Sequence, residues 1–267
     1  MTTIEAVADV AIIGGSGFYT FLDDPEQHPV ETPYGAPSAP VSVGSVAGRR
    51  VAFLPRHGVH HEHPPHGINY RANAWALRSL GVRQVLAPCA VGSLQPEVGP
   101  GAVVVPDQLV DRTVSRGQTF VESGAVHVPF ADPYCARLSA AVASVDETVR
   151  TGGTMVVIEG PRFSTRAESQ HCAAQGWALI NMTGHPEAVL AREMRQCYAA
   201  IALVTDLDAG VGAGSGVSQE EVFAVFSENL GRLRGLLSDA IAALPDPGGC
   251  PCETWADGIE LTYDVPS

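Results

Sequence analysis

Strand-like and helix-like segments alternate along most of this chain, and that alternation leaves few folds open to it. "VADVAII" (7–13) reads as a buried strand stopping at Gly14-Gly15, and "PVSVGSVAGRRVAFLP" as a hairpin turning at Ala47-Gly48. "YRANAWALRSL" (70–80) has helical spacing and stops at Gly81, the residue favoured after a helix end. Strands are predicted at 83–91, 102–110 and 153–160, then in "WALINMT" and at 198–206. Thr165 with Glu168 forms a capping-box pattern for a helix over 165–175, "PEAVLAREMRQ" reads as another, and Ser218 with Glu221 caps a long helix reaching about Leu244. Strands separated by helices predict one α/β domain over 1–244, a central sheet with helices on both faces. The Pro/Gly-rich residues 245–267 are expected to form a loosely packed tail.

Composition removes several functions. A formal net charge of −13 argues against nucleic acid, whose phosphates need clustered Lys and Arg. No apolar run reaches the ~20 residues that span a bilayer, so no membrane is expected. The N-terminus has neither a basic region nor an apolar stretch of a signal peptide, and the expected location is cytoplasmic. Cys89, Cys135, Cys172 and Cys197 lie in apolar segments where buried thiols are common. Cys250 and Cys252, one residue apart, are expected to be a reduced, exposed pair, the other form being a strained, reducible disulfide.

In α/β sheets chemistry gathers where strands end. Six predicted strands here run into "GGSGFY", "PRHG", "CAVGS", "EGPRF", "NMTGHPE" and "TDLDAG". Gly14-Gly15-Ser16-Gly17 lets backbone N–H groups approach an oxyanion, with Ser16 adding a hydroxyl; a plain tight turn is the other reading. The third glycine of a dinucleotide fingerprint is missing, which weakens a nucleotide-binding oxidoreductase. "RHGVHHEHPPH" holds His57, His60, His61, His63 and His66, a density that raises the idea of a metal-binding module. Its prolines break the helical i, i+4 pairing of a zinc helix, so no metal is expected. Arg56-His57 after a strand instead suits an inorganic anion, a fork-shaped cation beside an imidazole.

Taken together, "GGSG", "RHGVHHEHPPHGINYRANAWAL", "CAVGSL", "VVVPDQLVDRT", "GTMVVIEGPRFSTRAES", "INMTGHPEAVLARE" and "VTDLDAG" resemble the S-methyl-5′-thioadenosine phosphorylases, of the trimeric class of purine nucleoside phosphorylases. The resemblance runs from about Val10 to Leu244. It implies a mixed, partly barrel-like central sheet flanked by helices, and a homotrimer or dimer of trimers. It also implies phosphorolysis of S-methyl-5′-thioadenosine, with inorganic phosphate as co-substrate and no cofactor.

By that resemblance Ser16, Arg56, His57, the backbone N–H of Ala90 and Thr183 hold phosphate. Met182 lies under the ribose, Phe163 packs on the base, and Ser164 stands where 6-oxopurine enzymes carry a glutamate. Asp206 protonates N7 of the leaving base and Asp208 accepts from its 6-amino group. His127 reaches the 5′ pocket of a neighbouring subunit, which Val217, Gln219, Val222 and Phe223 line. Gln219 falls where relatives often have a small or apolar residue, which leaves broader 5′-substituted adenosine or purine nucleoside phosphorolysis as the alternative. Read alone, Met182 and Phe163 are core residues, Asp206 and Asp208 turn or cap residues. Glu187 reads as a first-turn helix charge or a site group.

Overall fold

The computed structural model describes residues 6–212 and 216–266. In chain order the strands are β1 (Val10–Gly14), β2 (Glu26–His28), β3 (Val41–Val46), β4 (Arg49–Pro55), β5 (Gln84–Ser93), β6 (Val103–Val105), β7 (Gln108–Arg112), β8 (Arg150–Thr151), β9 (Thr154–Ile158), β10 (Leu179–Asn181) and β11 (Cys197–Leu207). The helices are α1 (Tyr70–Ser79), α2 (Ala136–Ser144), α3 (Arg166–Ala174), α4 (Gly184–Glu193), α5 (Gln219–Ala243) and α6 (Pro251–Thr254). The predicted capping box at Thr165 and Glu168 is present on α3, and Ser218 caps α5. Asn69 caps α1 by accepting the Ala72 N–H. The expected single strand over 102–110 is two strands, β6 and β7. Pro106 stands between them, and a proline has no N–H to give a ladder.

The sheet is mixed and it forks. Its main path runs β2-β3-β4-β1-β5-β10-β9-β7, while β11 pairs β5 and β6, and β6 pairs β8. β5 pairs parallel with β1 through Gln84–Leu86, antiparallel with β10 at Gly92 and Ser93, and parallel with β11 along its length. Pro88 falls between the β1 and β10 segments, where its missing N–H costs no bond to either. The β5 residues beyond it, Cys89 to Gly92, line a cavity.

Alternation along β11 divides the core. Tyr198, Ala200, Ala202 and Val204 pack on one side, and Cys197, Ala199, Ile201 and Leu203 on the other with α2 and α5 residues. A β-bulge then shifts the register, with Val204 opposite Val91 and Asp206 opposite Gly92. The extra residue, Thr205, upsets the two-residue period, and both Thr205 and Asp206 line the cavity.

The C-terminal stretch is largely exposed but anchored at a few residues. Cys250, Cys252 and Ala256 are buried, and the Tyr263 ring stacks on Phe120. The expected exposure of Cys250 and Cys252 is therefore wrong. Apolar partners from α2, β11 and α5 bury the turn, which its Pro and Gly content does not reveal. Among the described residues, no helix is long and apolar enough to cross a membrane.

Candidate active site

The strand ends at β1, β4, β5, β9, β10 and β11 open on one cavity of about 370 Å³, covered by the first turns of α5. Ser16, Arg56, His57, Ala90, Phe163, Met182, Thr183, Asp206, Asp208, Gln219, Val222 and Phe223 all line it. Val217 is half-buried but does not, and His127 is exposed outside it.

At one end Arg56 is almost fully buried. Its Nε and Nη2 donate to Glu187 Oε1 and Oε2 at 2.7 and 2.8 Å, Nη1 donates to the Pro88 carbonyl at 3.2 Å, and Nη2 to the Ile13 carbonyl at 3.3 Å. Four of a guanidinium's five N–H bonds are thus engaged, leaving one for a ligand. Burial opposes the Arg56 charge, but the Glu187 carboxylate holds it protonated beyond its ordinary range. Tyr198 completes the network by donating to Glu187 Oε2 at 2.7 Å. Glu187 is a site group that anchors the arginine.

His57 is not a second cation. Burial pushes its pKa down to about 3. Its Nδ1 lies 2.8 Å from the His63 carbonyl, which can only accept, so Nδ1 carries the proton and Nε2 is an acceptor. The His57 ring stacks on His61 at 4.4 Å between centroids, and His61 Nδ1 meets the Tyr19 hydroxyl at 3.0 Å. His61 also packs edge-on against Phe223 of α5. Two of the histidines thus buttress the cavity, while His60 and His66 are exposed.

Asn181 locks the turn into α4. Its Oδ1 accepts the N–H groups of Thr183 and Gly184 at 2.7 and 2.6 Å, and its Nδ2 donates to the Ala90 carbonyl at 3.1 Å. Met182 packs where Gly160 has no side chain, since a Cβ there would lie 2.6 Å from the Met182 sulfur.

Two carboxyls face the other end. Burial, with the Asp208 charge adding to it, raises Asp206 to about 6. Thr205 Oγ1 lies 2.8 Å from Asp206 Oδ2 and 3.2 Å from the Val91 carbonyl. One hydroxyl proton cannot serve both, so the arrangement has two states. An ionised Asp206 accepts a hydrogen bond from the Thr205 hydroxyl, whereas a protonated Asp206 donates to Thr205, which donates on to the Val91 carbonyl. Burial also raises Asp208, with the neighbouring Ser164 and Ser169 hydroxyls pulling the other way, and its buried Oδ2 has no hydrogen bond of good geometry. Such an atom wants a donor, and in a cavity wall a ligand can bring one. A Cβ on Gly92 would come within 3.0 Å of Asp206 Oδ1 and 3.2 Å of Asp208 Cβ, so glycine keeps the space before both carboxyls open.

The site thus joins an end with a paired cation, a neutral imidazole and hydroxyls to an end with two high-pKa carboxyls, across an apolar middle. Asn181, Thr205, His61 and Glu187 take part beyond the residues singled out from sequence as ligand contacts. Of these, Glu187 carried a signal there as a first-turn helix charge and His61 as part of the histidine run, while Asn181 and Thr205 carried none.

The family model of the phosphorylase superfamily matches residues 9–242. An S-methyl-5′-thioadenosine phosphorylase of Mycolicibacterium smegmatis is 58% identical over 258 residues, covering 96% of this chain and 99% of the relative. A purine nucleoside phosphorylase of Streptomyces coelicolor is also 58% identical, over 97% of this chain and 98% of its own. Among solved structures, a methylthioadenosine phosphorylase from an antarctic soil metagenomic library superposes with a TM-score of 0.85 at 39% identity, covering 94% of this chain and 91% of that one. On the family model and these near full-length likenesses, the chain belongs to the phosphorylase superfamily.

Proposed function

We propose that the chain catalyses phosphorolysis of S-methyl-5′-thioadenosine, giving adenine and 5-methylthioribose 1-phosphate. The observation that carries the reading is Asp206, a half-buried carboxyl on the cavity wall raised to about 6 beside the Asp208 carboxyl. The names of the near full-length relatives support it.

In this reading phosphate sits among Ser16, Arg56, His57, the Ala90 backbone N–H and Thr183. Arg56 offers its one remaining N–H, and the His57 Nε2 lone pair accepts the O–H that hydrogenphosphate itself carries. Met182 lies under the ribose and Phe163 against the base. As the C1′–N9 bond breaks, the sugar gains positive charge and the purine gains negative charge. A phosphate oxygen bonds to C1′ while Asp206 gives its proton to N7, which is more basic in the transition state than before it. The hydrogenphosphate proton balances the one delivered to adenine, so Asp206 is reprotonated over the cycle. Asp208 accepts from the 6-amino group.

The 5′ group lies among Val222, Phe223 and Gln219, with His127 from a neighbouring subunit and Val217 at its margin. A homotrimer or dimer of trimers supplies that neighbour, and the cytoplasm is the expected location. Polar Gln219 on the cavity wall favours a second reading, a wider purine nucleoside phosphorylase that tolerates a 5′-hydroxyl. Rates on methylthioadenosine, adenosine and inosine separate the two. The first reading expects the highest kcat/KM on methylthioadenosine, and equal values on adenosine or inosine would favour the second.

A further inference from the structure

Away from the active site, four cysteines from three distant parts of the chain meet in the core. Cys135 precedes α2, Cys197 opens β11, and Cys250 and Cys252 flank the start of α6. All four are buried, and their Sγ atoms all lie within 4.8 Å of one another. Cys135 Sγ and Cys250 Sγ are 3.7 Å apart. Zinc binds four thiolates tetrahedrally at about 2.3 Å, which sets sulfur–sulfur edges of about 3.8 Å. A disulfide would instead pull two sulfurs to about 2.05 Å and leave the other two outside it.

We propose that Cys135, Cys197, Cys250 and Cys252 form a structural zinc site that fastens the C-terminal turn to β11 and α2.

The surroundings suit a thiolate cluster. The Leu138 N–H in the first turn of α2 bears favourably on a Cys135 thiolate, the kind of backbone influence that steadies a metal thiolate. The Arg192 charge bears on Cys252 and offsets part of the excess negative charge of four thiolates around a divalent ion. An opposing group is Glu253, whose Oε1 lies 3.7 Å from Cys197 Sγ and accepts from that thiol. Once the thiol is ionised, Glu253 keeps the Gly248 N–H, 3.1 Å away. The site is closed, with four protein ligands and no place for substrate, so its role is structural. Cys197 and Asp206 are nine residue steps apart along β11, roughly 30 Å at strand spacing, which puts the metal outside the reaction.

No metal was expected from sequence because the histidine run was the visible candidate. Cys250-Pro-Cys252 also lacks the two-residue spacing usual in zinc motifs, and its partners lie more than fifty residues away.

The test is elemental analysis of the full-length protein, produced with zinc in the medium and purified with reductant but no chelator. About one zinc per chain is expected, and background levels in a Cys250→Ser/Cys252→Ser variant. Because that variant can fail to fold, wild-type protein stripped with a chelator is also titrated with Co²⁺. Intense visible ligand-field bands of tetrahedral thiolate cobalt, removed by added zinc, are expected. Wild-type protein with no bound zinc and no such bands overturns the proposal. So does an intact mass showing disulfides under these conditions, or iron in place of zinc.

Discussion

Arg56 and Glu187, 131 residues apart in sequence, meet in a two-point ion pair at one end of the cavity. Both are buried, so each neutralises a charge the other could not carry alone. Removing one partner of such a pair costs about 3–5 kcal/mol. Arg56→Ala and Glu187→Ala are therefore each expected to lower the unfolding midpoint sharply, with the double variant Arg56→Met/Glu187→Leu recovering much of the loss. Denaturant unfolding checks this. Single-variant losses below about 1 kcal/mol, the range of surface pairs, would contradict it.

Phosphate affinity is better probed at Ser16, whose replacement leaves no buried charge stranded. Losing a hydrogen bond to a charged ligand costs about 1.5–3 kcal/mol. Ser16→Ala is expected to raise the phosphate KM by about ten- to a hundredfold and the nucleoside KM much less. Equal changes in the two would remove Ser16 from the phosphate contacts.

His57 is expected to stay neutral through the working pH range. Burial lowers its pKa to about 3, so the folded protein disfavours the charged ring. Its contribution to stability is present above the unfolded pKa of about 6.5 and is lost as pH falls toward 3. Imidazole ¹⁵N spectra should show the Nδ1–H tautomer unchanged from pH 8 to pH 5. Titration near pH 6.5 would contradict the neutral assignment.

Asp206 shifts the other way, raised from 3.8 to about 6. The folded state holds that proton more tightly than the unfolded one. Its contribution to stability is thus full below pH 3.8 and is lost as pH rises through about 6. The loss amounts to up to about 3 kcal/mol at neutral pH. Asp206→Asn should therefore stabilise the fold above pH 6 while cutting kcat on methylthioadenosine by about 10²–10⁴-fold. It should lose less on the inosine-type analogue, because an amide can pair with a 6-oxopurine. In the unsubstituted protein kcat/KM should fall as pH rises through about 6. Wild-type kcat in Asp206→Ala and Asp206→Asn would exclude Asp206 as the acid.

Much of the fold was legible because its signals are local. Asn69 was not picked out as a cap, but the Thr165 box, the Ser218 cap and the Ala47-Gly48 turn each fall where the structure has them. The short strands β2 and β8 were missed, since two or three residues carry no period and only their neighbours hold them. The small-residue helix α2 was missed as well. At the site, the strand-end residues converge as expected, while their charge states depend on partners far along the chain. Nothing near Arg56 announces Glu187, and nothing near His57 announces the burial that discharges it. Thr205 reads as one more strand residue until the bulge turns it toward Asp206.

The most direct test of the account is product analysis of the purified chain with methylthioadenosine, with and without inorganic phosphate. The expected result is adenine together with 5-methylthioribose 1-phosphate when phosphate is present, and no more than a trace of adenine without it. Adenine released at the same rate in phosphate-free buffer, with free methylthioribose as the other product, would contradict it.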